Sequence, residues 1–211
     1  MELKIFNVRT YGIEESIVAS GYPMLAEVPN LDTLERYDYL TGERWFAEQT
    51  LEPHFKRAVS LGNAPAGSGH DGFLKGIIVQ GDFQMPSYWW PQAQRYHWFD
   101  IVSSQSKMHR ILQMDLEECC CGTVDEVIVE SMQIITDHKD GIGDLEKVLA
   151  NIPMGLELTA RVSTNYLQLK TMYSQRKNHR LKCWTEVFCP FVEELPYAKE
   201  LGITGGKKCQ Q

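Results

Sequence analysis

Alternation of apolar and polar residues predicts two strands in the first half of the chain. The segment "LKIFNV" (3–8) predicts a first strand, and "FLKGIIVQGDF" (73–83) predicts a second. The second segment places apolar residues on one face at Phe73, Ile77, Val79 and Phe83, and on the other at Leu74 and Ile78. Because both faces are apolar, we expect cover on both sides of this strand.

A third segment, "LELTARVS" (156–163), alternates without interruption. A period of two is typical of a strand with one face in the core and the other in solvent. The predicted inward residues are Leu156, Leu158, Ala160 and Val162, and the predicted outward residues are Glu157, Thr159, Arg161 and Ser163.

Apolar residues spaced by three or four positions predict helices elsewhere. Segment 31–61 is interpreted as one or two helices broken near Gly42, with this spacing at Leu31, Leu34, Tyr37, Trp45, Phe46 and Leu51. Segment 124–140 predicts a helix with an apolar stripe at Val124, Val127, Ile128, Met132 and Ile135. A shorter helix at 143–153 is expected to end at Pro153, because proline interrupts helices.

The C-terminal third predicts one long helix at 165–188, with Leu169, Met172 and Tyr173 on its apolar face. Pro190 is expected to separate it from a further segment at 191–201. Segment 62–72, "GNAPAGSGHDG", predicts an exposed loop. Segment 91–110, "PQAQRYHWFDIVSSQSKMHR", is interpreted as a polar helix.

This order of strands and helices predicts an α+β fold, an antiparallel or mixed sheet flanked by helices. At 211 residues, the chain is expected to form a single domain over 1–205, followed by a flexible tail at 206–211.

The amino-acid composition and net charge exclude some classes of function for this chain. Apolar residues are 43% and charged residues 23%, as in a soluble globular protein. The net charge of -7 argues against a DNA or RNA partner, because phosphate contacts need clustered Lys and Arg, but it leaves room for a local anion pocket. No apolar run approaches the roughly 20 residues of a membrane span. "MELKIFNVRT" does not resemble a signal peptide, so we expect a cytoplasmic protein.

The six cysteines give no C-x-x-C metal pair, since three are adjacent (119–121) and Cys183 and Cys189 are separated by five residues. We therefore expect reduced thiols and no metal, with a metal or redox role for "CCC" as the alternative. The sequence also lacks a P-loop, a G-x-G-x-x-G turn, a G-x-S-x-G elbow and an H-E-x-x-H pair.

Three clusters of polar residues remain as candidate functional sites. The first is His70 in the glycine-rich loop; the second is Gln92, Arg95, His97, Ser103, Ser104, Ser106 and Arg110; the third is Asn165, Arg176, His179 and Arg180. Arginine donates paired hydrogen bonds to phosphate and carboxylate, and serine and glutamine add orienting groups. The aromatic residues of 88–98 could stack on a planar ring. The alternative is that these clusters are ordinary solvated faces.

The spacing of these clusters resembles that of the flavin-dependent thymidylate synthases (ThyX). In that family a His at the start of a strand is followed by Pro after sixteen residues, Gln after twenty-two and Arg-His-Arg from twenty-five. Here His70 is followed at the same intervals by Pro86, Gln92 and Arg95-Tyr96-His97. A late family helix has Asn and Arg eleven residues apart, as Asn165 and Arg176 are. The resemblance covers roughly residues 65–185.

The resemblance implies an enzyme of nucleotide biosynthesis that binds deoxyuridylate or an analogue and transfers a one-carbon unit to it. It implies a homotetramer with FAD bound between subunits, and NADPH and methylenetetrahydrofolate as candidate co-substrates. By the same resemblance, His70, Arg95 and His97 would bind flavin, and Arg176 and His70 would be catalytic. The nucleotide would be held by Gln92, Ser106, Arg110, Asn165 and Arg176. Flavin and folate supply the reacting groups, while the protein positions them.

Departures from the family pattern motivate a second hypothesis. The triplet is Arg-Tyr-His, Ser106 follows after eight residues where the family has seven, and Lys75 replaces a family Glu. Met108-His109 replaces an Arg-Tyr pair, with Arg110 displaced by one position. The alternative register 96–98 restores the seven-residue gap and loses both arginines. The alternative function is a non-catalytic nucleotide-binding or assembly protein that has lost its flavin site.

Overall fold

Six strands build two sheets in the computed structural model, which describes residues 3–37, 44–46, 48–65, 68–120, 122, 124–137 and 142–205. The strands are β1 (Lys4–Tyr11), β2 (Glu35–Tyr37), β3 (Arg44–Phe46), β4 (Ile78–Pro86), β5 (Asp100–Ser104) and β6 (Glu157–Asn165). The larger sheet is antiparallel with the order β1-β4-β6-β5, and β2 pairs with β3 in a separate hairpin. The predicted α+β class is confirmed.

Helices connect and cover these strands. They are α1 (Ile13–Ala19), α2 (Leu31–Leu34), α3 (Glu48–Gly62), α4 (Trp90–Ala93), α5 (Lys107–Arg110), α6 (Leu116–Cys119), α7 (Glu126–Asp137), α8 (Ile142–Asn151), α9 (Tyr166–Arg176) and α10 (Cys189–Glu193). Short 3-10 turns lie at Tyr22–Met24, Gly72–Gly76 and Ile111–Gln113, and a π-helical turn lies at Cys183–Phe188. None of the described helices combines the length and apolar character that a membrane crossing requires.

The chain divides into two compact units. The first unit comprises residues 1–8, 80–163 and 180–188, and the second comprises 9–79, 164–179 and 189–211. One domain over 1–205 stays a prediction, and the predicted tail at 206–211 lies outside the described residues.

The core of the first unit has an aromatic part and an aliphatic part. Trp89 is fully buried, with ring centroids 4.7 Å from Trp184 and 5.0 Å from Trp90. The aliphatic part gathers side chains from the 3-10 turn at 111–113, from α6, α7 and α8, and from the residues next to α6 and β6: Ile111, Leu116, Cys120, Val129, Met132, Val148 and Leu156. Burial of each large apolar side chain stabilises the fold by about 1.5–3 kcal/mol, so these clusters set the position of the connecting segments.

The second unit packs α1 and the 3-10 turn at 72–76 together, with α3 beside α1 and α9 beside the turn. Its buried residues include Ile17, Val18, Leu74, Leu169 and Met172. Gly62, at the end of α3, meets the backbone at Leu201, and a Cβ there would lie 2.5 Å from the Leu201 carbonyl oxygen. Only glycine permits this approach.

Several element predictions are wrong in detail. Residues 72–76 form a 3-10 turn, so the predicted strand at 73–83 begins only at Ile78. Ile77, Val79 and Phe83 are buried as expected. In segment 31–61, Tyr37 lies in β2 and Trp45 and Phe46 lie in β3, so a hairpin replaces part of the predicted helix. Gly42 lies outside the described residues.

The predicted polar helix at 91–110 is also wrong, because it contains the strand β5 between the short helices α4 and α5. The predicted long helix at 165–188 ends at Arg176, and turns separate it from the π-helical turn. Pro190 lies inside α10 and does not separate two segments. Proline is tolerated there because the first turn of a helix has no partner for its N–H groups.

Burial corrects three individual positions. Val127 and Ile128 were expected on the apolar stripe of α7, and they are 67% and 48% exposed. Glu157 was expected outside, and it is only 3% exposed. Leu156, Ala160 and Val162, which were predicted to face the core, are buried.

Candidate functional site

The loop predicted at 62–72 carries His70 in its exposed part. The ammonium group of Lys170 holds this loop at both ends. Lys170, on α9, donates hydrogen bonds to the Gly62 carbonyl oxygen and to Asp71 Oδ2, both at 2.8 Å. The Lys170 and Asp71 side chains are largely buried, which strengthens their ion pair relative to one in solvent. Residue 65 and residues 68–70 are exposed, as predicted for this loop. His70 is therefore presented to solvent beside a fixed anchor.

The predicted pair Asn165 and Arg176 lies at opposite ends of α9. The Asn165 side chain caps the helix, because its oxygen accepts a hydrogen bond from the backbone N–H of Gln168 at 2.9 Å. Arg176 lies half-buried in the last turn, with Lys177 exposed next to it. Eleven residues at the rise of an α-helix separate the two by roughly 16 Å. The two side chains therefore do not converge on one small ring.

Gln92, Arg95 and His97 share a turn of the first unit but differ in environment. Gln92 Oε1 accepts a hydrogen bond from the buried indole of Trp184 at 3.1 Å, which ties this side chain to the core. Arg95 and His97 are exposed. The His97 ring lies 5.2 Å from that of Trp98, which is 39% exposed. The turn thus offers an exposed guanidinium, an imidazole and an aromatic face.

Ser106 directly precedes the short helix α5, and Arg110 is its last residue. The Ser106 hydroxyl accepts a hydrogen bond from the backbone N–H of His109 at 3.4 Å and lies 2.9 Å from His109 Nδ1. Ser106 therefore serves as the N-cap of α5. Arg110, at the end of the helix, is exposed.

A cavity of about 210 Å³ lies in the first unit, next to these residues. It is lined by Ser87, Trp90, Pro91, Gln94, Ile101, Ser104, Lys107, Leu158 and Ala160. Of the predicted site residues, none lines it, although Ser104 belonged to a polar cluster. Gln94 and Lys107, which line the cavity, are direct neighbours in sequence of the predicted residues Arg95 and Ser106.

The sequence of β5 carries no periodic signal that identifies it as a strand. "DIVSS" places Ile101 in the cavity wall, and a strand here would have directed attention to the residues around it. The segment was instead interpreted as a helix, which is wrong for residues 100–104.

The first unit also buries a carboxyl group that is not in the cavity. Gln84 Nε2 donates a hydrogen bond to Glu157 Oε2 at 2.7 Å. Burial raises the pKa of Glu157, and the hydrogen bond from Gln84 only partly opposes this effect. Nearby, Arg161 donates hydrogen bonds to the Asn7 carbonyl oxygen at 2.9 Å and to Asp82 Oδ1 at 3.3 Å. Within the described residues, no group of three His, Cys, Asp or Glu side chains could hold a metal ion.

Comparison with known proteins finds no matching family model and no matching curated protein. Two crystal structures of the flavin-dependent thymidylate synthase ThyX from Helicobacter pylori, both with FAD and dUMP, are similar to this chain at 12% identity. One has a TM-score of 0.67 and covers 93% of this chain and 94% of its own. The other has a TM-score of 0.68, with coverage of 95% and 96%.

A crystal structure of a UMP/dUMP methylase, PolB, from Streptomyces cacaoi, bound with 5-Br dUMP, is similar at 12% identity. Its TM-score is 0.60, with 97% of this chain and 95% of its own chain covered. At such identity the likeness establishes the fold. The ThyX-like fold that the resemblance implies is therefore confirmed.

Proposed function

We propose that this protein binds a pyrimidine deoxynucleotide, deoxyuridylate or an analogue, and transfers a one-carbon unit to it with a flavin. The observation that carries the proposal is the fold, which extends over 93% to 97% of the chain and is shared with structures that contain dUMP or 5-Br dUMP. NADPH and methylenetetrahydrofolate are the co-substrates that the proposal requires. A homotetramer is part of it.

Arg176 is the residue to which we assign nucleotide binding in the second unit. Arg176 is half-buried, and its guanidinium donates from a rigid fork, which suits phosphate and the carbonyl oxygens of a pyrimidine. Lys177 follows it directly in sequence, and His179 lies two residues further on. On a chain with a net charge of -7, such local positive charge favours a specific anion.

The exposed turn at 94–98 fits a flavin by the type of its side chains. The Arg95 guanidinium and the His97 imidazole suit the pyrophosphate of FAD, and Trp98 offers an aromatic surface for stacking. When bound, the flavin would supply the hydride. Arg95 and His97 would hold the cofactor and fix its orientation, and His70 is the third residue that we assign to it.

The experiment is a calorimetric titration of dUMP into the purified protein with FAD present. We expect the wild type to bind and Arg176→Ala to bind at least tenfold more weakly, as the loss of a charged hydrogen bond predicts. Lys177→Ala removes the same charge from the adjacent exposed position and should change affinity less than threefold. Equal affinity in Arg176→Ala and the wild type would contradict the assignment, and absence of dUMP binding to the wild type would contradict the proposal.

A non-catalytic nucleotide-binding or assembly protein is the second candidate. Two residues that were predicted to bind the nucleotide instead make hydrogen bonds within the protein, which favours this candidate. Gln92 accepts from Trp184, and Asn165 caps α9. The degraded triplet at 95–97 favours it as well. Oxidation of reduced flavin that requires methylenetetrahydrofolate, dUMP and the protein together would exclude this candidate. Nucleotide binding without flavin binding would establish it.

A further inference from the structure

The cavity of the first unit has one charged wall residue, Lys107. The lining combines apolar residues, among them Ile101, Leu158 and Ala160, with polar side chains. The lining contains no Asp or Glu. Lys107 is half-buried, and no carboxylate lines the same cavity, so the lining carries a positive charge that no acidic residue of the lining neutralises.

The polar groups of the cavity are available to a ligand. Among the described residues, the side chains of Gln94, Ser104 and Lys107 have no hydrogen-bond or ion-pair partner. The other polar groups are already engaged, because Ser87 donates to the Leu156 carbonyl oxygen and the Trp90 indole donates to that of Met85. Three unpaired donor side chains around one cavity match the needs of an oxyanion, which accepts several hydrogen bonds at once.

The size of the cavity limits the ligand. A volume of about 210 Å³ is below the roughly 300 Å³ at which sites enclose a whole small-molecule ligand. The apolar lining residues suit a small organic body attached to the anionic group, and the polar ones suit the anion itself. The cavity therefore fits one end of a ligand or a small organic acid.

We propose that this cavity is an oxyanion site in which Lys107 is the charged contact and Gln94 and Ser104 are orienting donors. The ligand class is an organic phosphate monoester or a small carboxylate. The site stands on the geometry of the first unit, and only the identification of the anion as the phosphate of the nucleotide rests on the proposed function.

The test compares the wild type with Lys107→Met, Lys107→Arg and Lys182→Met by calorimetry at constant ionic strength. The probes are inorganic phosphate, dUMP and deoxyuridine. Lys182→Met is the matched control, because Lys182 is an exposed lysine of the same unit paired with Glu186 on the surface. Thermal unfolding of each variant shows that the fold is kept.

We expect phosphate binding to weaken roughly tenfold to hundredfold in Lys107→Met, to persist in Lys107→Arg and to be unchanged in Lys182→Met. If the affinity for dUMP falls in parallel with that for phosphate, while deoxyuridine binds the wild type and Lys107→Met equally, the cavity holds the nucleotide phosphate. If the affinity for phosphate falls in Lys107→Met and the affinity for dUMP does not, the cavity is an anion site separate from the nucleotide site.

Phosphate that binds wild type and Lys107→Met equally, or that does not bind the wild type, would overturn the inference. Lys107-dependent phosphate binding together with no dUMP binding would contradict the proposed function alone.

Discussion

At the scale of single residues, the structure assigns roles that residue type and spacing do not reveal. Glu157 occupies an outward position in a cleanly alternating strand, where an acid is normally solvated, and yet it is buried against Gln84. Gln92 resembles a ligand in its spacing, while its oxygen accepts a hydrogen bond from a core tryptophan. Such contacts depend on partners distant in sequence, so one segment at a time cannot predict them.

Glu157→Gln should change how stability depends on pH. Burial raises the pKa of Glu157 above its ordinary value of 4.5, so the folded protein binds this proton more tightly than the unfolded chain does. The carboxyl group therefore favours folding below pH 4.5, and this contribution is lost as the pH rises through the raised pKa. We expect the two proteins to be equally stable near pH 4 and the variant to be more stable by about 1 kcal/mol at pH 8.

Urea unfolding at several pH values measures this difference. Glu130→Gln, at an exposed position of α7, is the matched control and should leave the pH dependence unchanged. A wild type that gains stability relative to Glu157→Gln as the pH rises would contradict the buried, weakly solvated environment of this carboxyl group.

At the scale of elements, periodic segments are predictable and irregular segments are not. The apolar repeats of α7 and α8 and the alternation of β6 place these elements correctly, because burial of one face imposes a period on the sequence. β5 carries no such signal, since all its residues except Ile101 are exposed at the edge of the sheet. The segment at 165–188 has residues suited to a single helix, and tertiary packing divides it into α9 and the π-helical turn.

Asn165→Ala should destabilise the protein by about 1 kcal/mol, because it removes the side-chain acceptor that caps α9. Asn165→Asp keeps an acceptor at the same position and should retain stability within about 0.5 kcal/mol of the wild type. Chemical denaturation measures both effects.

The same two variants separate capping from the predicted role in substrate binding. We expect dUMP affinity in Asn165→Asp to match the wild type, as a capping residue predicts. Affinity lost in Asn165→Asp at unchanged stability would show that the amide contacts the nucleotide. An alanine variant as stable as the wild type would contradict the cap.

At the scale of the whole molecule, spacing between elements proved more informative than residue identity. Pro86 ends β4, sixteen residues after His70, and Asn165 and Arg176 begin and end α9. Strand and helix lengths set such intervals, and the fold is shared with the compared structures at 12% identity. The fold could therefore be predicted from the sequence. The cavity around Lys107 could not, because its walls come from β5, β6, α4 and α5 together.

The central claim is that this fold still binds flavin and a pyrimidine deoxynucleotide together. The most direct measurement is the visible absorbance spectrum of the purified protein, titrated with FAD and then with dUMP, with deoxyadenylate as the control nucleotide. We predict a bound-flavin spectrum that shifts saturably on addition of dUMP and does not shift with deoxyadenylate. A spectrum identical to that of free FAD, with and without dUMP, would contradict the claim.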